Sequence, residues 1–497
     1  MSAPTTTTDP APEAETTAPL PDRLGQWGVV GPGLAVGAVC ALVGLDRSSL
    51  WRDEAYSLGA VHQMETTLRE TRGTMGAYYL LLRVWTTVSD SAWWMRSLSV
   101  VLALAALVVV VRLVARAADA RTARWAGVLL GLSLLWVAYA QEARSYALVL
   151  LLTATSWMAV DHVLTDHGPE RRRWVVVHVA TAVVLPLAQG LAVLQLAAQA
   201  AALLAGRADR RTWRAIAPGL AASLAVTGAL TAVGTGEAGT WIAPVDGTQL
   251  RTLAESLTSE VPIFLVLLAG LAVVGAVLCA RRTRDGDDEV ARIRAAAPVA
   301  WAVVPPALLL AISLLGRPTL VPRYVMASAA GVAVLWAVAV RALDGRRGAA
   351  RAPLVGVAVV ALLVVGQVRL HDTTGDDWRL TARALAAEPK DGDVILLATS
   401  EIRPPFEAAW VELDSAPIMT VVNSPRPLGR VLRIEEVGLS DAEAVDAAQA
   451  RHRVWVVGEE RDPLRADAVD ELIDAGFRSE RTIATEGGVP AELLVRS

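Results

Sequence analysis

Lysine is almost absent: Lys390 is the only one, and arginine carries nearly all of the positive charge. Charged residues of both signs make up 19% of the chain, below the roughly 25% typical of soluble domains. Cysteine is as scarce. Cys40 and Cys279 each lie inside an apolar run, which excludes a disulfide framework and a thiolate metal site. The six histidines show no metal-ligand spacing. The lack of a Walker loop or GxGxxG turn argues against nucleotide binding, and nothing points to nucleic acid as a partner. No internal repeat of short period is visible.

What the chain has in quantity is apolar sequence, with 54% hydrophobic residues and a mean hydropathy of +0.43. Charge-free runs such as Ser97–Val111, Ala147–Val160 and Leu354–Val368 approach the roughly 20 helical residues that cross a hydrocarbon core. The blocks predict eleven spans, near 26–45, 97–111, 125–140, 146–163, 174–187, 190–205, 215–233, 261–280, 296–315, 324–340 and 353–368. Pro186 and Gly190 separate the fifth from the sixth, which as one helix would overshoot the bilayer. The fold class is therefore an all-α polytopic membrane domain followed by a small α/β domain.

Alternate loops are basic: Arg112, Arg116, Arg121 and Arg124; Arg171–Arg173; Arg207, Arg210, Arg211 and Arg214; Arg281–Arg294; Arg341–Arg351. The short loops between them hold only Arg144, Arg251, Arg317 and Arg323. The positive-inside rule then places the N-terminus and the basic loops in the cytoplasm. Residues 1–25, rich in Thr, Pro and Ala, form an expected disordered tail. Ala77–Val88 is apolar but only twelve residues long and contains Arg83, so it is expected to lie at the outer interface. From 371 to 497 the sequence reads as a soluble domain. Helices are expected at 377–387 and 467–475, and strands at 393–399, 453–458 and 492–495. An odd number of spans puts this domain outside the cytoplasm, and the plasma membrane is the expected location.

Three polar clusters fall on the outer side. The first outer loop, 46–96, carries Trp51-Arg52-Asp53-Glu54-Ala55-Tyr56 directly after the first span, where paired carboxylates suit a general base and a ligand to metal or substrate. The second is Tyr139-Ala140-Gln141-Glu142-Ala143-Arg144-Ser145-Tyr146, a dense polar run between two apolar ones. Its ordinary reading is an ion pair at a helix end. The third, Arg317 to Tyr324, includes Arg323, a residue type suited to gripping phosphate; its ordinary reading is snorkelling to headgroups. The loop at Thr240–Pro244 reads as an interfacial anchor. Charged residues are absent from the middles of the spans, which argues against an ion-coupled transporter.

With those residues in view, the chain resembles the C-type glycosyltransferases, among them bacterial members related to the protein O-mannosyltransferases and the lipid A aminoarabinose transferase. The resemblance rests on the Asp-Glu pair in the first outer loop, on YAQEARSYAL at 139–148 and on PRY at 322–324, and it covers 26–370 in layout. It implies a transferase that moves a sugar, such as mannose, from a polyprenyl-phosphate donor to a glycolipid, glycan or protein acceptor of the cell envelope, with inversion. It implies Asp53 as base with Glu54 beside it, and substrate contacts from Tyr56, Gln141, Glu142, Arg144, Tyr146, Arg323 and Tyr324. Two positions depart from the pattern. Thr74-Met75-Gly76-Ala77 stands where many relatives have His-Pro-Pro before the Tyr-Tyr pair, and Gln189 stands where a histidine is common. No cofactor is assigned, and a divalent cation is left open. The alternative from another class is a flippase or transporter of lipid-linked saccharide.

Overall fold

The computed structural model describes residues 23–71, 73–233, 242–343, 351–372, 377–387, 393–413, 419–423, 434–438, 441–460, 462–483 and 487–496. Nearly all of the expected tail lies outside these, as do Lys390, Thr240 and Trp241. Each of the eleven apolar blocks is helical. The chain enters through α1 (Arg23–Leu42), crosses the first connection as α2 (Arg52–His62), α3 (Met64–Glu70) and α4 (Gly76–Trp85), and continues into α5 (Ala92–Ala117). The third block is two helices, α6 (Ala120–Gly131) and α7 (Leu134–Ala140), bent by 60°. Then follow α8 (Tyr146–Thr165), α9 (Gly168–Ala188), α10 (Val193–Ala205), α11 (Arg210–Val233), α12 (Gly247–Leu257), α13 (Pro262–Asp285), α14 (Glu289–Leu315), α15 (Ser328–Ala342) and α16 (Arg351–Asp372).

Five of these helices are long and apolar enough to cross a membrane, or six with α6 and α7 as one bent span. The apolar parts of α1, α10, α15 and α16 are shorter. The chain is a multi-pass membrane protein. Pro186 and Gly190 divide their stretch as expected: α9 stops at Ala188, Gln189 is extended, and α10 begins at Val193 after one 3-10 turn. The ten residues of α4 extend about 15 Å, too short to cross the core. That helix buries Tyr78, Tyr79 and Leu82 and leaves Leu80 and Val84 exposed. Reciprocal bonds clip it to α5, Trp85 Nε1 donating to Trp94 O at 2.9 Å and Trp94 Nε1 to Trp85 O at 2.8 Å.

Small residues decide how α1 and α6 meet. Gly33 and Gly37 on α1 face Gly127 and Gly131 on α6; a Cβ on Gly33 would sit 2.7 Å from the Gly127 carbonyl carbon, and one on Gly131 would sit 2.9 Å from Gly37 Cα. Both pairs are four residues apart, one on each helix, which is the spacing that lets two membrane helices touch backbone to backbone.

The C-terminal domain adds α17 (Trp378–Ala386), β1 (Val394–Leu397), α18 (Arg403–Val411), β2 (Met419–Asn423), β3 (Ile434–Gly438), α19 (Asp441–Gln449), β4 (Arg453–Val457), α20 (Pro463–Asp474), β5 (Phe477–Ile483) and β6 (Ala491–Arg496). Its sheet runs β3-β2-β1-β4-β6-β5, parallel from β3 to β4, with β6 antiparallel to β4 and β5 antiparallel to β6. The central strands β1 and β4 are hydrophobic on both faces, as a helix-covered parallel sheet requires. Ile395, Leu397, Trp455 and Val457 pack with Trp378, Phe406 and Trp410, while Val394, Leu396, Val454 and Val456 pack with Val445 and Leu472. The expected strands correspond to β1, β4 and β6; β2, β3 and β5 lie where none was expected.

This domain docks on the segment leading into α2. Ser49 N donates to Asp377 Oδ1 at 3.0 Å, and Trp378 N donates to Ser49 Oγ at 2.9 Å. Arg379 pairs with Asp46 at 3.1 Å and Arg52 with Glu401 at 2.7 Å.

Candidate active site at one end of the bundle

Helix α5 fixes the geometry of the molecule's two charged ends. Arg96 near its start binds Glu54, and Arg116 near its end pairs with Asp161 at 3.2 Å. Twenty residues separate the two arginines, about 30 Å of helix and the thickness of a hydrocarbon core. The expected site residues gather at the Arg96 end.

Asp53 lies in the first turn of α2. Its Oδ2 is 3.3 Å from Arg323 Nη1 and 3.7 Å from Arg144 Nη2. The two guanidinium groups come from segments 91 and 270 positions further along the chain, and they converge on this one carboxylate. Arg144 Nη1 also reaches Asp53 O at 3.3 Å, Tyr79 Oη at 3.4 Å and Ser57 Oγ at 3.5 Å. The Arg323 guanidinium stands 5.9 Å from the Trp51 ring centre and 5.8 Å from that of Tyr324, a cation–π arrangement on two sides. Burial works against the charge of Arg144, yet its pKa is raised, chiefly by Tyr79, Tyr146 and Asp53 around it.

Glu142 is buried, and its Oε2 has no hydrogen-bond partner among the described residues. Burial, reinforced by the nearby Glu54 carboxylate, pushes its pKa up to about 8 against the opposing pull of Arg144. At neutral pH this side chain therefore holds its proton. Tyr146, at the start of α8, is buried edge-on against Tyr139 with ring centres 5.0 Å apart. Tyr56 lies on α2 beyond Asp53, partly buried.

Two of the expected residues are engaged in hydrogen bonds within the protein. Glu54, expected beside Asp53 in the chemistry, is fully buried and accepts from Arg96 Nε at 2.9 Å, Arg96 Nη2 at 2.6 Å, Ala143 N at 2.8 Å and Trp51 N at 3.3 Å. These bonds join α2, α5 and the 141–145 turn. Gln141, expected to touch substrate, donates through Nε2 to the carbonyls of Cys40, Ala41 and Val43 at 3.0, 3.2 and 2.7 Å. It caps the open end of α1, satisfying carbonyls that a helix terminus leaves without partners.

Arg96 was not among the expected site residues. A lone arginine at the start of an apolar run reads as headgroup snorkelling, yet this one is buried and donates also to Leu45 O, Ser48 O and Ser49 O at 3.0, 2.9 and 2.9 Å. It therefore shapes the segment on which the C-terminal domain docks. Met75, in the departure from the relatives' His-Pro-Pro run, has φ 61°. This left-handed backbone, costly for a residue with a side chain, turns the chain into α4 and so presents Tyr79 to Arg144. Among the described residues, no group of three or more His, Cys, Asp or Glu side chains could hold a metal ion. Positive charge beside Asp53 comes from the arginines.

No protein-family model and no curated protein sequence matches the chain. Solved structures do. The apo structure of ArnT from Cupriavidus metallidurans superposes with a TM-score of 0.61 at 16% identity, covering 94% of this chain and 98% of that one. The same protein bound to undecaprenyl phosphate gives 0.60 at 14% identity, again over 94% and 98%. The Archaeoglobus fulgidus oligosaccharyltransferase tethered to an acceptor peptide gives 0.55 at 10% identity, over 95% and 74%. The chain has the C-type glycosyltransferase fold. That fold takes in the C-terminal domain as well as the helices, since the match to ArnT runs nearly end to end on both chains. Within the C-type fold of this chain, Asp53, Arg144 and Arg323 are the sequence-expected residues joined in one ion-paired cluster. Gln141 and Glu54 serve to hold that cluster's supports.

Proposed function

We propose that the protein is a glycosyltransferase that moves a sugar, such as mannose, from a polyprenyl-phosphate donor to a glycolipid, glycan or protein acceptor on the outer face of the plasma membrane. The observation that carries this reading is the convergence of Arg144 and Arg323 on Asp53. The charge balance supports it. Arg96, Arg144 and Arg323 stand against the carboxyl groups of Asp53 and Glu54, while burial raises the pKa of Glu142; the arginines outnumber those two acids by one, which suits an anionic donor. In this reading the C-type fold has eleven spans, the basic loops lie in the cytoplasm and the domain at 371–497 lies outside. Of the neighbours in fold, ArnT was solved with undecaprenyl phosphate and the oligosaccharyltransferase with an acceptor peptide.

The donor's tail requires lipid, so its phosphate rests at headgroup depth, beside the two arginines. Asp53 Oδ2 faces those guanidinium groups, and Oδ1 accepts the proton of the acceptor hydroxyl. As that proton leaves, the acceptor oxygen bonds to the anomeric carbon from the face opposite the phosphate. The bond from that carbon to the phosphate oxygen breaks, and the configuration inverts. The departing phosphate carries the electron pair as added negative charge. Arg144 and Arg323 stabilise it there, in a site where water is scarce and fixed charges act strongly. Glu142, uncharged, adds no repulsion toward the phosphate.

Transfer from a radiolabelled polyprenyl-phosphate sugar, measured in membranes and normalised to protein amount, tests the assignment. Asp53→Asn keeps the shape of the side chain and removes its basicity, so it should leave a folded protein with a rate lower by about 10²–10⁴-fold. Turnover near that of the wild type would remove Asp53 as the base. Mass spectrometry of envelope glycolipids and glycoproteins from a deletion strain identifies the sugar and the acceptor.

A further inference from the structure

Two left-handed residues stand just before α4, Gly73 with φ 82° and Met75 with φ 61°. Glycine adopts such a backbone freely, whereas Met75 does so at a cost. Strain of this kind persists where the surroundings over-determine it, and it gathers at functional sites. Here the turn places one phenol. Met75 O accepts from the backbone N–H of Tyr79 at 3.0 Å, and Met75 Sδ accepts from Tyr79 Oη at 3.6 Å. Tyr79 is therefore held by the same residue at its backbone and at its hydroxyl, and it is buried.

With its hydrogen given to sulfur, the phenol oxygen offers its lone pairs to Arg144 Nη1 at 3.4 Å. Two other acceptors face Nη1, Asp53 O at 3.3 Å and Ser57 Oγ at 3.5 Å. Both belong to α2, and they are already bonded to each other, Ser57 Oγ donating to Asp53 O at 3.1 Å. Tyr79 comes from a different helix, one that the Trp85 and Trp94 bonds fasten separately to α5. The Nε of Arg144 is enclosed. Its Nη2 has only Asp53 Oδ2 at 3.7 Å, beyond the length of a hydrogen bond.

We infer that Tyr79, held by Met75, is a positioning residue for the donor: it fixes Nη1 of Arg144 so that Nη2 is presented to the donor phosphate. The inference rests on the glycosyl-transfer reading and deepens it, because it names the nitrogen that takes a phosphate oxygen. A guanidinium is a rigid planar fork, so fixing one terminal nitrogen aims the other. Without the phenol oxygen the fork is free to close on Asp53 Oδ2, and that carboxylate then competes with the phosphate for Nη2.

The test is retention of a polyprenyl phosphate and of the uncharged polyprenol, read by native mass spectrometry of the full-length protein in detergent. The wild type should retain the phosphate above the alcohol. Tyr79→Phe keeps the ring and loses the oxygen. It should weaken retention of the phosphate by about 2–10-fold, the effect of one hydrogen bond, and leave retention of the alcohol unchanged. In an Arg144→Lys background, which has no fork, the same substitution should cost nothing further. Met75→Leu removes the sulfur that takes the phenol's hydrogen and should weaken phosphate retention in the same direction. Equal phosphate retention by the wild type and Tyr79→Phe overturns the role of Tyr79 while the donor reading stands. So does an undiminished loss in the Arg144→Lys background, or a parallel fall for both lipids, which would make Tyr79 a packing residue only. Unchanged retention in Met75→Leu overturns the part given to Met75. A wild type that does not prefer the phosphate to the alcohol overturns the donor reading itself, and the inference with it.

Discussion

Glu54 accepts four hydrogen bonds in a buried pocket, while Asp53, one position earlier, keeps Oδ1 clear of any partner among the described residues. The two carboxylates should fail differently. Glu54→Ala leaves Arg96 charged and buried without its partner, and losses of this kind run to about 3–5 kcal/mol. It should lower the thermal midpoint and the yield of monodisperse protein, whereas Asp53→Asn should lower only turnover; equal stability of the two variants would refute the structural role of Glu54. Glu142 gives a prediction in pH. The folded state holds its proton up to about 8, while the unfolded chain releases it near the ordinary value of 4.5. Between those values the unfolded state binds fewer protons, so this residue's contribution to stability is full below 4.5 and is lost as pH rises through about 8. Unfolding midpoints in detergent, compared between wild type and Glu142→Gln from pH 5 to 8.5, should show the wild type losing more stability with rising pH. Parallel curves would show that Glu142 is ionised throughout. Arg144 and Arg323 stood out in the sequence because a polar residue in a short loop between apolar runs has few ordinary uses, and Asp53 because it is paired with Glu54 directly after the first span. The roles of Gln141 and Glu54 were not legible. Each depends on a partner, the end of α1 or the side chain of Arg96, that only the folded arrangement supplies.

Among the elements, the contact of α1 with α6 sets where the α1 terminus and its Gln141 cap can sit. Gly131→Val would drive a branched side chain into the Gly37 backbone and should destabilise the protein by about 1–3 kcal/mol, the range for overpacked cores. Gly28→Ala is the control: nothing lies within 4 Å of its added carbon, and replacing an exposed helical glycine should be neutral or slightly stabilising. Thermal unfolding of the two variants separates close approach from helix propensity, and equal midpoints would discard the close-approach argument. All eleven helical blocks could be read from apolar run length, which is a local property. The 60° bend between α6 and α7 could not, because Leu132 and Ser133 continue the apolar run without a proline. That bend is held from outside, where Gln367 Nε2 donates to Leu132 O at 3.0 Å. The strands β1 and β4 announce themselves as unbroken apolar runs, whereas β5 (FRSERTI) and β3 (IEEVG) are too polar to stand out from loops.

For the whole molecule, the proposed orientation predicts which surfaces a membrane-impermeant maleimide reaches. With Cys40 and Cys279 replaced by serine, Ser479→Cys in the C-terminal domain should label on intact cells, and Ala120→Cys at the start of α6 only after lysis; both positions are exposed. Labelling of both on intact cells, or of Ala120→Cys alone, would refute the orientation. The bonds that join Asp46, Ser49 and Arg52 to Arg379, Asp377 and Glu401 also impose an order in time. The loop that carries Asp53 leaves the ribosome well before its brace, which lies more than 320 residues further along the chain. At about 5–20 residues per second the interval is roughly 20–70 s, and Arg323 itself arrives late within it. For most of that interval Asp53 has neither its second arginine nor its clamp, so a chain released early is left with an open, unbraced loop.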